Sequence, residues 1–546
     1  MSEGIGFMLK VARVRRWGVL LCAIATAGSV AACTSSITSA GASTTSISSA
    51  LTPNVSTSGK PAASVSGAGA ASLPRPSSPR PSASLARYYS QTLSWRSCSS
   101  GMQCASLVVP VSYANPKKYG NTSINVAKLQ AWGKRTGSLV LNPGGPGGSG
   151  IDYAGAGEGV VSSSVLEHYD LVGFDPRGVA SSHPIKCLTD AQLDTLLAFD
   201  ASPDTAAEVT QVMKLADGIG HGCVKNAPVL SRFVDTESVA RDMDVLRAAL
   251  GARKLNYLGK SYGTFIGSTY AHLFPTRVGR FVLDGVVDPR QGNVGLSKMQ
   301  AMGFERAFAR FIDYCLRNDC PLGNTRTQAR AKMLDIIAAS DAHPVATSQA
   351  KRPLTQSLLV SGLLFGMYDA SYGWQEELHA LRGVVKGDGS DMLSMVDWFT
   401  SRENGHFKDN GNEVIYAVNC IDRADRPDAP QLKRLAADWS KQYPFFGSYL
   451  AWSMVGCTHW PVPATGRAGA WSGGKIPPLL IIGNVWDPAT PVEGAKSLAS
   501  QMPGSVFLQW NGDGHTAYMQ GSPCVDDYVN RFYLQGGTPK AGTVCG

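Results

Sequence analysis

Ser261 stands in Gly259-Lys260-Ser261-Tyr262-Gly263, a G-x-S-x-G pattern that follows an apolar run at 255–258 and precedes a helical pattern at 264–274. Strand, sharp turn and helix are the context in which such a serine is held exposed on a strained backbone, with small residues on either side. A serine hydroxyl is a weak nucleophile until a base takes its proton, and that base needs an acid to fix its tautomer and stabilise its charged form. In this arrangement the acid and then the histidine follow the serine in chain order. Asp487 comes after the apolar run 478–483, and His515 comes after the run 506–510, in Gly512-Asp513-Gly514-His515. Asp284, in Leu283-Asp284-Gly285, is the rival acid; Asp487 is favoured over it, and Asp513 reads as a turn residue.

Acyl transfer also needs donors for a developing oxyanion, each worth about 10²- to 10³-fold in rate. Asn142-Pro143-Gly144-Gly145-Pro146-Gly147-Gly148 follows the run 137–142, and bare backbone there lets N–H groups approach a substrate. The N–H of Gly145 and that of Tyr262 are the expected pair. A phosphate loop is disfavoured because no G-K-[ST] follows this stretch. With no C-x-x-C and no H-E-x-x-H, the sequence calls for no metal and no other cofactor.

Elements must bring these residues together. Residues 105–113 and 123–132 alternate as strands around a turn at Asn115-Pro116, and 137–142, 169–174, 255–258, 281–287, 478–483 and 506–510 read as buried strands. Val239, Met243, Leu246 and Leu250 fall at helical spacing within 236–250. Strands alternating with helices imply an α/β fold, a mostly parallel sheet flanked by helices. Between the strands at 281–287 and 478–483 the patterns are helical, as at 298–315 and 328–339, which predicts a helical cap inserted into the sheet. The expected division is 88–288 for the first part of the α/β-hydrolase core, 289–474 for the cap and 475–546 for the rest of the core.

The first 87 residues differ. Lys10, Arg13, Arg15 and Arg16 precede an apolar run at 18–32, the order of a secretory signal, and the run is short for a membrane span. It ends in Val30-Ala31-Ala32-Cys33, which resembles a bacterial lipobox, so residues 1–33 are expected to be a lipoprotein signal with Cys33 as the lipid-bearing residue. Residues 34–87, nearly all Ser, Thr, Ala, Gly and Pro, read as a disordered tether with a reach of roughly 40 Å. The formal charge of +9 is concentrated there: residues 1–33 carry +3 and 34–87 carry +4, leaving +2 for the rest. No basic stripe remains to suggest nucleic acid as a partner. Setting aside Cys22 and Cys33 leaves ten cysteines, a number that in an exported protein suggests five disulfides, the simplest pairing joining sequence neighbours: Cys98–Cys104, Cys187–Cys223, Cys315–Cys320, Cys420–Cys457 and Cys524–Cys545.

Assembled, these residues resemble the secreted tripeptidyl aminopeptidase-like family of actinobacterial α/β-hydrolases, related to proline iminopeptidases. The likeness spans about 95–545 and rests on NPGGPGGSG (142–150), GFDPRG (173–178), GKSYGT (259–264), VLDGVVDP (282–289), WDPATP (486–491), GHTAY (514–518) and the closing cysteines. The resemblance makes Asp175 and Arg177 structural supports. It implies an exopeptidase that releases short peptides from a free N-terminus, with acidic cap residues for the substrate ammonium. Asp422, in Asn419-Cys420-Ile421-Asp422, is the candidate the resemblance implies, followed by Glu413, with Glu376 and Glu377 as further competitors; these three glutamates individually read as solvated charges. Ala180 departs from the family, which usually has glycine there.

The leading expectation is therefore an exported serine hydrolase acting through an acyl-enzyme on peptides, either membrane-anchored through its lipid or secreted. A carboxylesterase on lipid or small esters is the first alternative, and a lipid-anchored binding protein that keeps the fold without catalysis is the second.

Overall fold

In the computed structural model, residues 82–466, 469, 471 and 476–546 are described. The expected signal segment, the lipobox Cys33 and nearly all of the tether lie outside them. Among the described residues no helix is long and apolar enough to cross a membrane.

Among the described residues ten strands form one sheet: β1 (Arg96–Ser97), β2 (Gln103–Pro110), β3 (Asn121–Leu129), β4 (Gly137–Asn142), β5 (Tyr169–Phe174), β6 (Leu255–Lys260), β7 (Val278–Asp284), β8 (Leu480–Trp486), β9 (Val506–Asp513) and β10 (Val544–Cys545). Their order is β1-β2-β3-β5-β4-β6-β7-β8-β9-β10. The first three pairings are antiparallel and the rest parallel. The central strands are buried on both faces, which is why they read as continuous apolar runs. Along β4, Leu139 and Leu141 enter one core cluster while Val140 enters the other, so the pleat sends alternate residues into two separate cores.

Three strands end earlier than their hydrophobicity suggests, the first being β2, which stops at Pro110 instead of running to 113. β3 stops at Leu129 and leaves Trp132 64% exposed in the following loop. β7 stops at Asp284 because Gly285 turns the chain with φ +69°.

Between β7 and β8 the chain leaves the sheet and builds a helical layer. Its helices include α1 (Asn293–Leu316), α2 (Arg326–Ala342), α3 (Gln356–Gly366), α4 (Gly373–Val385), α5 (Ser390–Phe399), α6 (Gly411–Asp422) and α7 (Ala429–Gln442). All of these but α6 share a third apolar core, built around Phe304, Phe308, Leu359, Leu363 and Trp439, whereas α6 packs through Val414, Ala417, Val418 and Ile421 into one of the sheet's two cores. Val212 and Ala216, from the helix Ala206–Asn226, join the third core. The layer over the sheet therefore draws on chain from before the inserted segment as well.

Disulfides join Cys98–Cys104, Cys187–Cys223, Cys315–Cys320, Cys420–Cys457 and Cys524–Cys545. Two of them lie at the outer strands: Cys98–Cys104 closes the β1–β2 hairpin, and Cys524–Cys545 ties β10 to the helix Pro523–Gln535. β1 covers only one end of β2. Farther along, the Gln91 side chain takes its place, accepting from the Val108 N–H at 2.9 Å and donating to the Val108 carbonyl at 2.8 Å.

Candidate active site

The C-terminal ends of parallel strands are where an open α/β sheet presents groups to a ligand. Lys260 at the end of β6 pairs with Asp284 at the end of β7, and Asp284 pairs with Ile482 on β8. Trp486 pairs with Asp513 on the next strand. Ser261, Asp487 and His515 lie one or two residues beyond these strand ends.

Ser261 has φ 54° and ψ −127°, a conformation that costs on the order of 1–3 kcal/mol for a residue with a side chain. The turn is held by its N–H, which donates to the Asp284 carbonyl at 3.0 Å, and by the Thr264 hydroxyl, which donates to its carbonyl at 2.6 Å. The flanking glycines are there for room. A Cβ on Gly259 would stand 2.4 Å from the Gly263 carbonyl oxygen, and one on Gly263 would stand 2.6 Å from that of Asn142.

The glycine-rich loop lies directly against this turn. A Cβ on Gly144 would come within 2.9 Å of both the Ser261 Cβ and the Tyr262 nitrogen. The Asn142 side chain folds the loop back by accepting the Gly144 N–H at 2.9 Å. No acceptor among the described residues takes the Gly145 or Tyr262 N–H, so both amides are available to a ligand.

Asp487 and His515 meet. The Asp487 carboxylate lies 2.8 Å from His515 Nδ1 through Oδ1 and also accepts from the N–H groups of Ala489, Thr490 and Thr516 and from the Thr490 hydroxyl. That geometry assigns the Nδ1 proton toward Asp487 and leaves Nε2 as the acceptor nitrogen. His515 Nε2 is buried and has no hydrogen-bond partner among the described residues, the Ser261 hydroxyl included. Asp284, the rival acid, is directed elsewhere: its carboxylate accepts the N–H groups of Ala517 and Tyr518.

The sequence reading missed several residues around the histidine. Thr490 touches both Asp487 and His515, the latter at 3.3 Å. Tyr368, just beyond α3, accepts the His515 N–H at 2.8 Å through its carbonyl, and its ring meets the imidazole edge to face at 5.1 Å. Asp513 is more than a turn residue, because Arg310 of α1 forms a two-pronged ion pair with it. None of these contacts has a local signature, since each joins distant segments or depends on the fold of the loop.

The cap acids are buried. Glu413 accepts the Cys187 and Leu188 N–H groups at 2.6 and 2.7 Å, and burial raises its pKa. Asp422 accepts the Thr236 N–H and hydroxyl at 2.8 and 2.6 Å; burial pushes its carboxyl up to about 7. The same Thr236 hydroxyl lies 2.5 Å from the Tyr262 hydroxyl, which connects Asp422 to the residue after Ser261. Glu377 on α4 is fully buried with neither oxygen partnered among the described residues, and burial alone pushes its pKa well up. Glu376 is half-buried.

Arg177 is enclosed between Asp242 and the carbonyls of Pro110, Val111 and Phe233. Asp175 binds Ser149, Ile151 and Ser181. Ala180 has φ +44°, where the absence of a side chain would be an advantage. Among the described residues no group of three or more His, Cys, Asp or Glu could hold a metal.

A family profile described as alpha/beta hydrolase fold matches residues 137–335, and one described as TAP-like protein matches 443–545. The chain is 35% identical to serine protease Hip1 of Mycobacterium tuberculosis over 482 residues, 83% of this chain and 91% of that protein. It is 31% identical to a tripeptidyl aminopeptidase of Streptomyces coelicolor, over 83% of this chain and 86% of that protein. It is 32% identical to a Mycobacterium tuberculosis protein named carboxylesterase B, over 83% and 89% respectively. Sheet order, strand-end geometry and these likenesses converge: the chain belongs to the tripeptidyl aminopeptidase-like family of α/β-hydrolases and is a serine hydrolase with peptidase or esterase activity.

Proposed function

We propose that Ser261 attacks an acyl carbonyl while His515 Nε2 takes its proton. Asp487 stabilises the resulting imidazolium, and the N–H groups of Gly145 and Tyr262 receive the oxyanion. The tetrahedral intermediate collapses with cleavage of the scissile bond as the His515 imidazolium gives its proton to the departing amine or alcohol, and water, deprotonated by His515, then cleaves the acyl-enzyme and frees Ser261. The observation that carries this reading is the state of His515, with one nitrogen held by a carboxylate and the other buried without a partner among the described residues.

The proposed substrate is a peptide with a free N-terminus, its ammonium received by acids of the cap. Asp422 and Glu413 belong to this proposal, but both already accept backbone N–H groups. Glu377 supports it more directly. A buried carboxyl without a partner is costly, and an incoming ammonium would turn that cost into an ion pair. It packs on Gly366, at the end of the same α3 that leads into Tyr368 and the His515 contact.

The test compares unblocked and N-acetylated tripeptidyl amides with a short nitrophenyl ester. Glu377→Gln should raise KM for the unblocked amide by about tenfold or more and leave the ester unchanged, in line with the loss of a charge-assisted hydrogen bond. Equal cleavage of blocked and unblocked amides would rule out amine recognition, and ester cleavage alone would make the protein a carboxylesterase. Ser261→Ala should be inactive on every substrate.

Export to the outer face of the membrane, with a lipid on Cys33, is the proposed location. The five disulfides among the described residues are consistent with export. Cys33→Ala should move the protein from the membrane fraction to the medium; unchanged membrane association would exclude the anchor.

A further inference from the structure

The loop that carries His515 is an unfavourable piece of backbone. Thr516 and Met519 have φ of 67° and 61°, although neither is glycine. Such a loop keeps its shape only if its surroundings over-determine it. Asp487 secures one point by accepting the Thr516 N–H at 2.9 Å. The Tyr368 carbonyl holds the His515 N–H, Asp526 the Met519 N–H and Asn484 the Gly514 carbonyl, and two charged residues that the proposed chemistry does not use hold the stretch between.

Asp284 accepts the Ala517 N–H at 2.9 Å and the Tyr518 N–H at 2.9 Å. Lys260, the residue immediately before Ser261, donates from Nζ to the Tyr518 carbonyl at 2.5 Å and lies 3.5 Å from the Thr516 hydroxyl. Its Nζ is 3.7 Å from Asp284 Oδ2. Asp284 also accepts the Ser261 N–H through its backbone carbonyl at 3.0 Å. The two residues therefore grip the base's loop while one precedes the nucleophile in sequence and the other holds its amide.

Stability alone does not account for this pair. Lys260 is 2% exposed and Asp284 fully buried, and apolar residues of similar volume often replace a buried ion pair at no loss of stability. Burial lowers the pKa of Lys260 and raises that of Asp284, and each partner opposes the other's shift. Asp526 also acts on Lys260, and Asp487 on Asp284. Removing one partner leaves the other without its counter-charge and releases the loop.

We propose that Lys260 and Asp284 are positioning residues that set the His515 imidazole over Ser261, linking the nucleophile's turn to the base's loop. This deepens the reading of His515 as the general base and rests on it.

The experiment uses the full chain carrying Lys260→Met, Asp284→Asn or both, with Lys260→Gln as a milder change. Asp244→Asn serves as a destabilised control, because that carboxylate joins Tyr89, Tyr270, Arg247 and Arg277 in a separate buried network. Turnover, KM, the pH profile of kcat/KM and Tm are measured for each. Each single change should lower kcat by about 10- to 100-fold, the scale of a reacting group displaced by about 1 Å, with KM within about twofold. The acidic limb of the pH profile should move. The double variant should lose no more than the worse single one, because the two act as a unit. Asp244→Asn should lose Tm and keep its kcat. The proposal is overturned if folded Lys260→Met and Asp284→Asn retain kcat within about twofold, or if their losses follow Tm along the same line as the control. If Lys260→Met does not fold, Lys260→Gln and Asp284→Asn decide by the same criteria. His515→Ala separates the two layers: activity surviving in it removes the general-base reading and this proposal together. Activity lost there but intact in Lys260→Met removes this proposal alone.

Discussion

Five donor groups converge on the Asp487 carboxylate, and one of them is His515 Nδ1. An amide in its place would present an N–H to Nδ1 and favour the wrong tautomer. Asp487→Asn should therefore lower kcat by on the order of 10³- to 10⁴-fold with KM little changed, measured on the ester and the amide alike. Thr490 touches the same two side chains, and Thr490→Val removes its hydroxyl at constant shape; a fall in kcat of about 3- to 30-fold is expected, the worth of one neutral hydrogen bond or two. Ala180 offers a change in the opposite direction. With φ at +44°, Ala180→Gly should raise stability by about 0.5–1 kcal/mol, read as a higher denaturation midpoint at unchanged slope.

Elements joined by local pattern were legible in the sequence, and contacts between remote elements were not. The run at 137–142 announces its strand, and the small residues at Gly259 and Gly263 announce a turn too close to its neighbours for any Cβ. The α/β fold follows from strands alternating with helices. Trp132 reads as a strand residue by its hydrophobicity, but the chain has already left the sheet at Leu129. Glu377 and Glu413 read as solvated because charged residues usually are, and only the packed cap reveals their burial. The clasp between Arg310 on α1 and Asp513 at the end of β9 belongs to the same class, spanning 203 positions. It joins the cap to the strand that precedes His515. Arg310→Leu should therefore lower kcat/KM more than its effect on Tm, because Arg310 is partly exposed and an ion pair of that kind contributes only about 1 kcal/mol or less to stability. Equal kinetics in the variant would show that the clasp does not reach the site.

Buried acids give the whole molecule a pH dependence with a definite sign. Asp422 is pushed up to about 7 in the folded protein, against an unfolded value near 3.8. The folded state therefore holds its proton over a range in which the unfolded chain has released it. The stability this confers is complete below about pH 4 and is lost as pH rises through about 7. Glu377 has the same sign, its pKa being well above the usual range. The unfolding free energy should thus decline between pH 5 and 8, and Asp422→Asn should flatten the decline by on the order of 2–4 kcal/mol. A profile that rises across that interval would contradict the burial of these acids.

Both rims of the sheet are narrow. β1 and β10 are two residues long, each is fastened by a disulfide, and the Gln91 carboxamide occupies the Val108 backbone groups that would otherwise face outward. Unpaired strand borders are templates for other chains once they are uncovered. Reduction of these two bridges, or Gln91→Ala, should turn a monodisperse solution into one that self-associates with increasing concentration before any catalytic residue is disturbed. Light scattering would follow the process. Solubility would then be guarded by a glutamine and four cysteines at the perimeter, none of which takes part in the reaction.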